Sequence, residues 1–151
     1  MTRARNTLAR IALLVAATMA LAVLTPSPAG ATTRGRMYHV TNDSRENHSI
    51  RQVNIHWDMS KLARRHSVAM ANKGSLFHTS NPSAYYLKGV QWNTWGENVG
   101  VTGGTVAELQ RAFMNSDLHR ANILNRGFRR VAVGTYRDAD GLLWVTIFFY
   151  G

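Results

Sequence analysis

The chain has 151 residues, no cysteine, and 18 Lys and Arg against eight Asp and Glu, a formal charge of +10 at pH 7. That length allows one compact domain with a real core, and not two. Disulfide staples and a lipid anchor on cysteine are both excluded, so cohesion comes from packing and hydrogen bonds.

The chain opens with Arg3, Arg5 and Arg10, runs apolar from Ile11 to Leu24, breaks at Pro26 and Pro28, and reaches Ala29-Gly30-Ala31, a small-x-small cleavage pattern. Residues 1–31 are therefore expected to be a secretory signal peptide. The 14-residue apolar run is short of the roughly 20 residues of a membrane-spanning helix, and no second such run follows. No transmembrane anchor is expected after cleavage. The secreted product, residues 32–151, keeps 15 Lys and Arg against eight acids, formally +7. Such a surface favours anionic partners, which for an exported protein are wall polymers and phospholipid headgroups of the envelope rather than nucleic acid. The plain alternative is that the charge serves solubility alone. Export without disulfides, behind an Arg- and Ala-rich leader, points to a bacterial source.

Residues 32–36, Thr-Thr-Arg-Gly-Arg, have almost no apolar content and are expected to be a flexible lead-in, with order beginning at Met37. Tyr38 to Ile50 reads as a first helix, placing Asn42 and Arg45 on one face. Asp58 is placed to cap a second helix carrying Leu62, Ala63, Ala69 and Met70, which Gly74 stops in a left-handed turn. His66 falls on the apolar side of that helix and reads as a core histidine rather than a ligand. Between Gly74 and Thr94 the chain is turn-rich and aromatic, with Phe77, Tyr85, Tyr86 and Trp92 expected to wall a cleft or cover the core.

Thr105-Val-Ala-Glu108 is a capping box that commits Glu108 to its own helix, whose buried stripe is Val106, Leu109 and Phe113. Ser116 or Asp117 is expected to cap a further short helix through Leu124. Val131–Tyr136 and Leu142–Tyr150 are β-branched and aromatic, and Asp140-Gly141 between them signals a hairpin. The second of these is too apolar for an edge and is expected to be central, covered by helices on both faces. Glu97 to Val101 reads as another strand. The fold class is α/β, one domain with helices packed on both sides of an antiparallel sheet.

Six signatures then occur in order: Asn42-x-x-Arg45, Trp57-Asp58-x-x-x-Leu62-Ala63, Phe77-His78-Thr79-Ser80, Gly96-Glu97-Asn98, Ser116-x-x-His119-Arg120-x-Asn122-Ile123-Leu124, and the closing hairpin. Together they resemble the CAP superfamily of cysteine-rich secretory proteins, venom antigens and plant pathogenesis-related proteins, and its bacterial SCP-like extracellular domains. The resemblance covers nearly all of residues 37–151. It implies an α-β-α sandwich with a large cleft, in which His78 and His119 face each other and Glu97 supplies an acid. Where the eukaryotic branch has a second acid, this chain has Ser116. Some members bind zinc or another divalent cation through the two histidines, and others bind lipid or sterol.

Two histidines and a glutamate are the ligand types of an open zinc site, but their spacing is wholly non-local and no His-Glu-x-x-His helix occurs. Ser116 and His119, three apart, suggest a hydrolase pair, against which stand the expected capping role of Ser116 and the lack of a Gly-x-Ser-x-Gly turn. Arg45 and Arg120 read as residues tying helix ends to loops, and Asn98 as one that holds a neighbouring loop and fixes the direction of Glu97. Three functions follow. The first is a secreted binding module whose cleft, floored by His78, Glu97 and His119, takes a small apolar or cell-wall-derived ligand. The second is a metal-dependent hydrolase with Glu97 as general base, and the third a non-catalytic cationic envelope protein.

Overall fold

The computed structural model describes residues 32–151; the expected signal peptide lies outside them. In chain order the elements are α1 (Thr33–Glu46), β1 (Asn54–Ile55), α2 (Trp57–Lys73), α3 (Pro82–Tyr86), β2 (Trp95–Thr102), α4 (Val106–Met114), α5 (Asp117–Ile123), β3 (Arg130–Arg137) and β4 (Leu143–Tyr150). Among the described residues, no helix is long and apolar enough to cross a membrane.

The four strands form one sheet in the order β1-β3-β4-β2. The hairpin β3–β4 and the pair β2–β4 are antiparallel, and every residue of β4 is buried, so β4 is the central strand that its apolar sequence requires. Its side chains alternate between two layers. Leu143, Val145, Ile147 and Phe149 join Met37, Leu109, Phe113 and Ile123 from α1, α4 and α5, while Phe148 and Tyr150 meet Met59 and Ala63 of α2 and Tyr86 of α3. This period of two produces the expected sandwich, with helices on both faces.

Several local expectations are corrected. Residues 33–36 are not a lead-in but the first turn of α1, begun by Thr32, whose hydroxyl accepts from the Gly35 N–H at 3.1 Å. The helix therefore starts five residues before Tyr38 and ends at Glu46, short of Ile50. The cap of α2 is His56, not Asp58: His56 Nδ1 accepts from the Met59 N–H at 3.1 Å, and Asp58 pairs with Lys61 at 2.8 Å inside the first turn. Gly74 does end α2 in the left-handed conformation, at φ 66°. The sheet is not purely antiparallel, because β1 pairs with β3 in parallel through Asn54 and Ile55. The turn-rich stretch contains α3, opened by Asn81 and Pro82.

Arg45 is fully buried. It ties the end of α1 to the loop that follows and to the end of α5, donating from Nε to the Arg51 carbonyl at 2.8 Å and from one terminal nitrogen to the carbonyls of Ile123 and Asn125 at 2.6 and 3.0 Å. Asn42, one turn earlier, brackets Val53 through both its N–H and C=O. The motif Asn42-x-x-Arg45 thus anchors the chain leading into the sheet.

Candidate functional site

Glu97 is the third residue of β2 and pairs with Phe148, which directs its side chain to the α2 side of the sheet. The residue is 5% exposed. A carboxylate buried this deeply is stable only if its oxygens are saturated with donors. Oε1 accepts from His78 Nδ1 and from the Thr79 N–H, each at 2.9 Å, and Oε2 accepts from the Thr79 hydroxyl at 2.7 Å. The stretch 77–80 is therefore folded around one carboxylate. Accepting from Nδ1 also orients the imidazole, leaving Nε2 of His78 outward on a side chain that is 62% exposed.

His66 completes the surroundings of the acid. Its place in the core is as expected, with the ring meeting Phe77 edge-on at 5.0 Å, but Nδ1 also lies 3.8 Å from Glu97 Oε2 and 3.3 Å from Thr146 Oγ1. Burial pushes its pKa down, opposed by the charge of Glu97 and reinforced by His78. Tyr86, stacked on Phe148 at 4.1 Å, is held in its neutral form first by burial and then by Glu97.

Asn98, on the opposite face of β2, bonds a helix rather than a loop. Its amide donates to the His119 carbonyl at 3.0 Å and its carbonyl accepts from Asn122 at 2.9 Å, while Asn122 also donates to the Glu97 carbonyl at 3.2 Å. Gly96 permits this approach, since a Cβ there would run into the Asn122 side chain. The asparagines thus fix α5, and with it His119, against the strand that carries Glu97. Ser116 occupies the cap position of α5, but its hydroxyl makes no capping bond; it is hydrogen-bonded to His119 Nδ1 at 2.8 Å. Burial, and then the charge of His78, lowers the His119 pKa. Arg120 reaches His48 at 3.1 Å, joining α5 to the turn after α1.

A cavity of about 330 Å³ opens beside the acid, walled by His78, Thr79, Pro82, Trp95, Glu97 and Asn122. His119 and Ser116 are not part of that wall. Cavities of about 490 and 580 Å³ elsewhere contain none of the expected site residues. Among the described residues, no group of three or more His, Cys, Asp and Glu is arranged to hold a metal ion. His78 and His119 would supply two ligands, each with its other ring nitrogen already fixed, by Glu97 and by Ser116. The sequence pointed to His78, Glu97, His119 and Asn98, but not to Thr79 as the main anchor of the acid or to His66 as its neighbour. Thr79 was within reach, as the hydroxyl residue next to His78; the approach of His66 had no local signal.

Residues 38–149 match the cysteine-rich secretory protein family, also called CAP. The chain belongs to this family. Within it, the chain is 31% identical over 118 residues to the uncharacterized protein YkwD of Bacillus subtilis, a match covering 75% of this chain and 45% of that one. The chain therefore spans less than half of that relative. The CAP fold is also shared with an extracellular SCP-domain protein of Bacillus anthracis, at a TM-score of 0.67 and 23% identity, over 78% of this chain and 40% of the other. An outer surface protein of Borrelia burgdorferi gives a TM-score of 0.69 at 17% identity, over 78% and 91%.

Proposed function

We propose that this CAP domain is a secreted bacterial binding module whose cleft takes a small ligand derived from the cell wall. The observation that carries this reading is the saturation of Glu97. With both oxygens engaged and the side chain 2% exposed, the carboxylate is a support for His78 rather than a free base. What faces outward is a preformed recognition surface: His78 Nε2 as a polar contact and Trp95, 40% exposed, as a flat apolar wall. A polar floor with one aromatic wall suits a sugar or short peptide better than an acyl chain.

Calorimetric titration with a soluble disaccharide-peptide wall fragment tests the reading. Saturable binding is expected, weakened about tenfold in Trp95→Ala, the loss of roughly 1.4 kcal/mol of stacking and burial. Equal heats for parent and variant would remove the cleft from recognition.

A second reading is favoured by the two imidazoles, each held at one nitrogen in the manner of histidines that present the other to zinc or another divalent cation. A zinc titration beside the His78→Ala, His119→Ala double variant separates the two readings, since only cation binding requires both histidines. Flat titrations with wall fragment and zinc alike leave the non-catalytic cationic envelope protein.

A further inference from the structure

A separate cavity, of about 320 Å³, lies where the start of α1, the middle of α2 and the end of β3 meet, and it shares no residue with the cleft. Its wall includes Thr33, Arg34, Arg64, Thr135, Tyr136 and Arg137. Three arginines from three separate elements therefore line one space. Like charges gathered at a cavity repel one another and are ordinarily offset by acids. Here the described residues place no carboxylate within 4.0 Å of any of the three, the ion pairs being Lys61–Asp58, Arg111–Glu108 and the histidines at Glu97. Asp138, next in sequence to Arg137, feels the charge of that arginine but spends its hydrogen bonds on the Leu142 N–H and the Trp144 indole.

The arginines are also positioned. Arg64 lies 5.8 Å above the centre of the Tyr136 ring, and Arg137 donates to the Gly141 carbonyl in the hairpin turn. Arg34 Nε is shielded from solvent and has no hydrogen-bond partner among the described residues. The first turn of α1 has no acidic residue and carries Arg34 and Arg36, the sign of charge that the helix dipole disfavours at an N-terminus. Local rules broken together in this way mark a site whose missing term is an anion.

We propose that this cavity is a phosphate site, which takes a phosphate monoester or diester through Arg34, Arg64 and Arg137, with the hydroxyls of Thr33 and Thr135 as further donors. Phosphate has enough oxygens to engage several guanidinium forks at once, which a single carboxylate has not. The chemistry is common to lipid headgroups and to soluble phosphate esters and polymers.

The test is an NMR titration of the purified protein with inorganic phosphate, followed at the arginine Nε–Hε resonances and at the amides of residues 33–36 and 135–137. Saturable shifts centred on Arg34 are expected, with affinity reduced at least about tenfold in the Arg34→Gln, Arg64→Gln variant. Arg36→Gln makes the same kind of charge change in the same turn but outside the cavity wall, and is expected to leave affinity nearly unchanged. Circular dichroism confirms that each variant is folded. Sedimentation with phosphatidylglycerol vesicles, reversed by inorganic phosphate, assigns the ester to a headgroup; phosphate binding without sedimentation assigns it to a soluble ester or polymer. Either result supports the site. No saturable shift at Arg34, unchanged affinity in the double variant, or an equal loss in Arg36→Gln overturns it.

Discussion

Two of the histidines near the site, His66 and His119, are held below the ordinary imidazole value chiefly by burial, and in both the charge of His78 adds to the effect. Glu97, 3.8 Å from His66, pulls the other way without reversing the balance. As pH falls through the ordinary imidazole value of 6.5, the unfolded chain binds protons that the folded chain resists. Stability from these residues is thus complete above that value and declines below it. Urea midpoints are expected to fall between about pH 7 and pH 5, and to fall less in the His66→Gln, His119→Gln variant. An unchanged pH slope in that variant would show that other groups set the acid sensitivity. At this scale the sequence was informative about identity and uninformative about partnership. His78, Glu97 and His119 were recognisable as candidates for one pocket, but not which of them would bond, and the hydroxyl of Ser116 was expected on a backbone N–H and instead meets the ring of His119 three residues on.

Between elements, the closest packing is that of α2 on β3. Ser60, Ala63 and Ser67 present small side chains on one face of the helix, and each is buried. The Ser60 hydroxyl accepts from the Val133 N–H at 3.0 Å, and Ser67 donates to the Gly134 carbonyl at 3.2 Å. Opposite them, a Cβ on Gly134 would overlap the backbone of Ala63 and Arg64, which cannot move aside as a side chain can. Gly134→Ala is therefore expected to destabilise the fold by about 3 kcal/mol, read as a lowered urea midpoint. A loss below about 0.5 kcal/mol, the range of an ordinary surface change, would contradict the contact. Elements signalled by short-range patterns were legible: the capping box of α4 is present in full, and β3 and β4 follow from their β-branched and aromatic runs. By contrast, β1 is two residues long and exists only because β3 passes beside it. The cap at His56 was equally hidden, since a ring nitrogen replaces the usual short oxygen side chain.

For the molecule as a whole, Arg45 joins parts that are otherwise far apart in the chain. Arg45→Ala would leave the carbonyls of Arg51, Ile123 and Asn125 without their donor inside the protein, at a cost of about 3 kcal/mol or more. With no cysteine, no covalent link shortens the path between these parts. The bond from Arg45 to Ile123 spans 78 positions, whereas β3 and β4 are separated only by the turn around Gly141. Closure entropy rises with loop length, so the hairpin is expected to form early and the Arg45 clasp late. In a denaturant chevron, Arg45→Ala is expected to speed unfolding and to leave the folding rate nearly unchanged. A folding rate that drops in proportion to the lost stability would instead place the clasp in the nucleus. The late clasp gives α1 a particular part in the lifetime of the fold. With the clasp late, α1 docks late, so an anion bound at Arg34 is expected to slow unfolding more than it speeds folding.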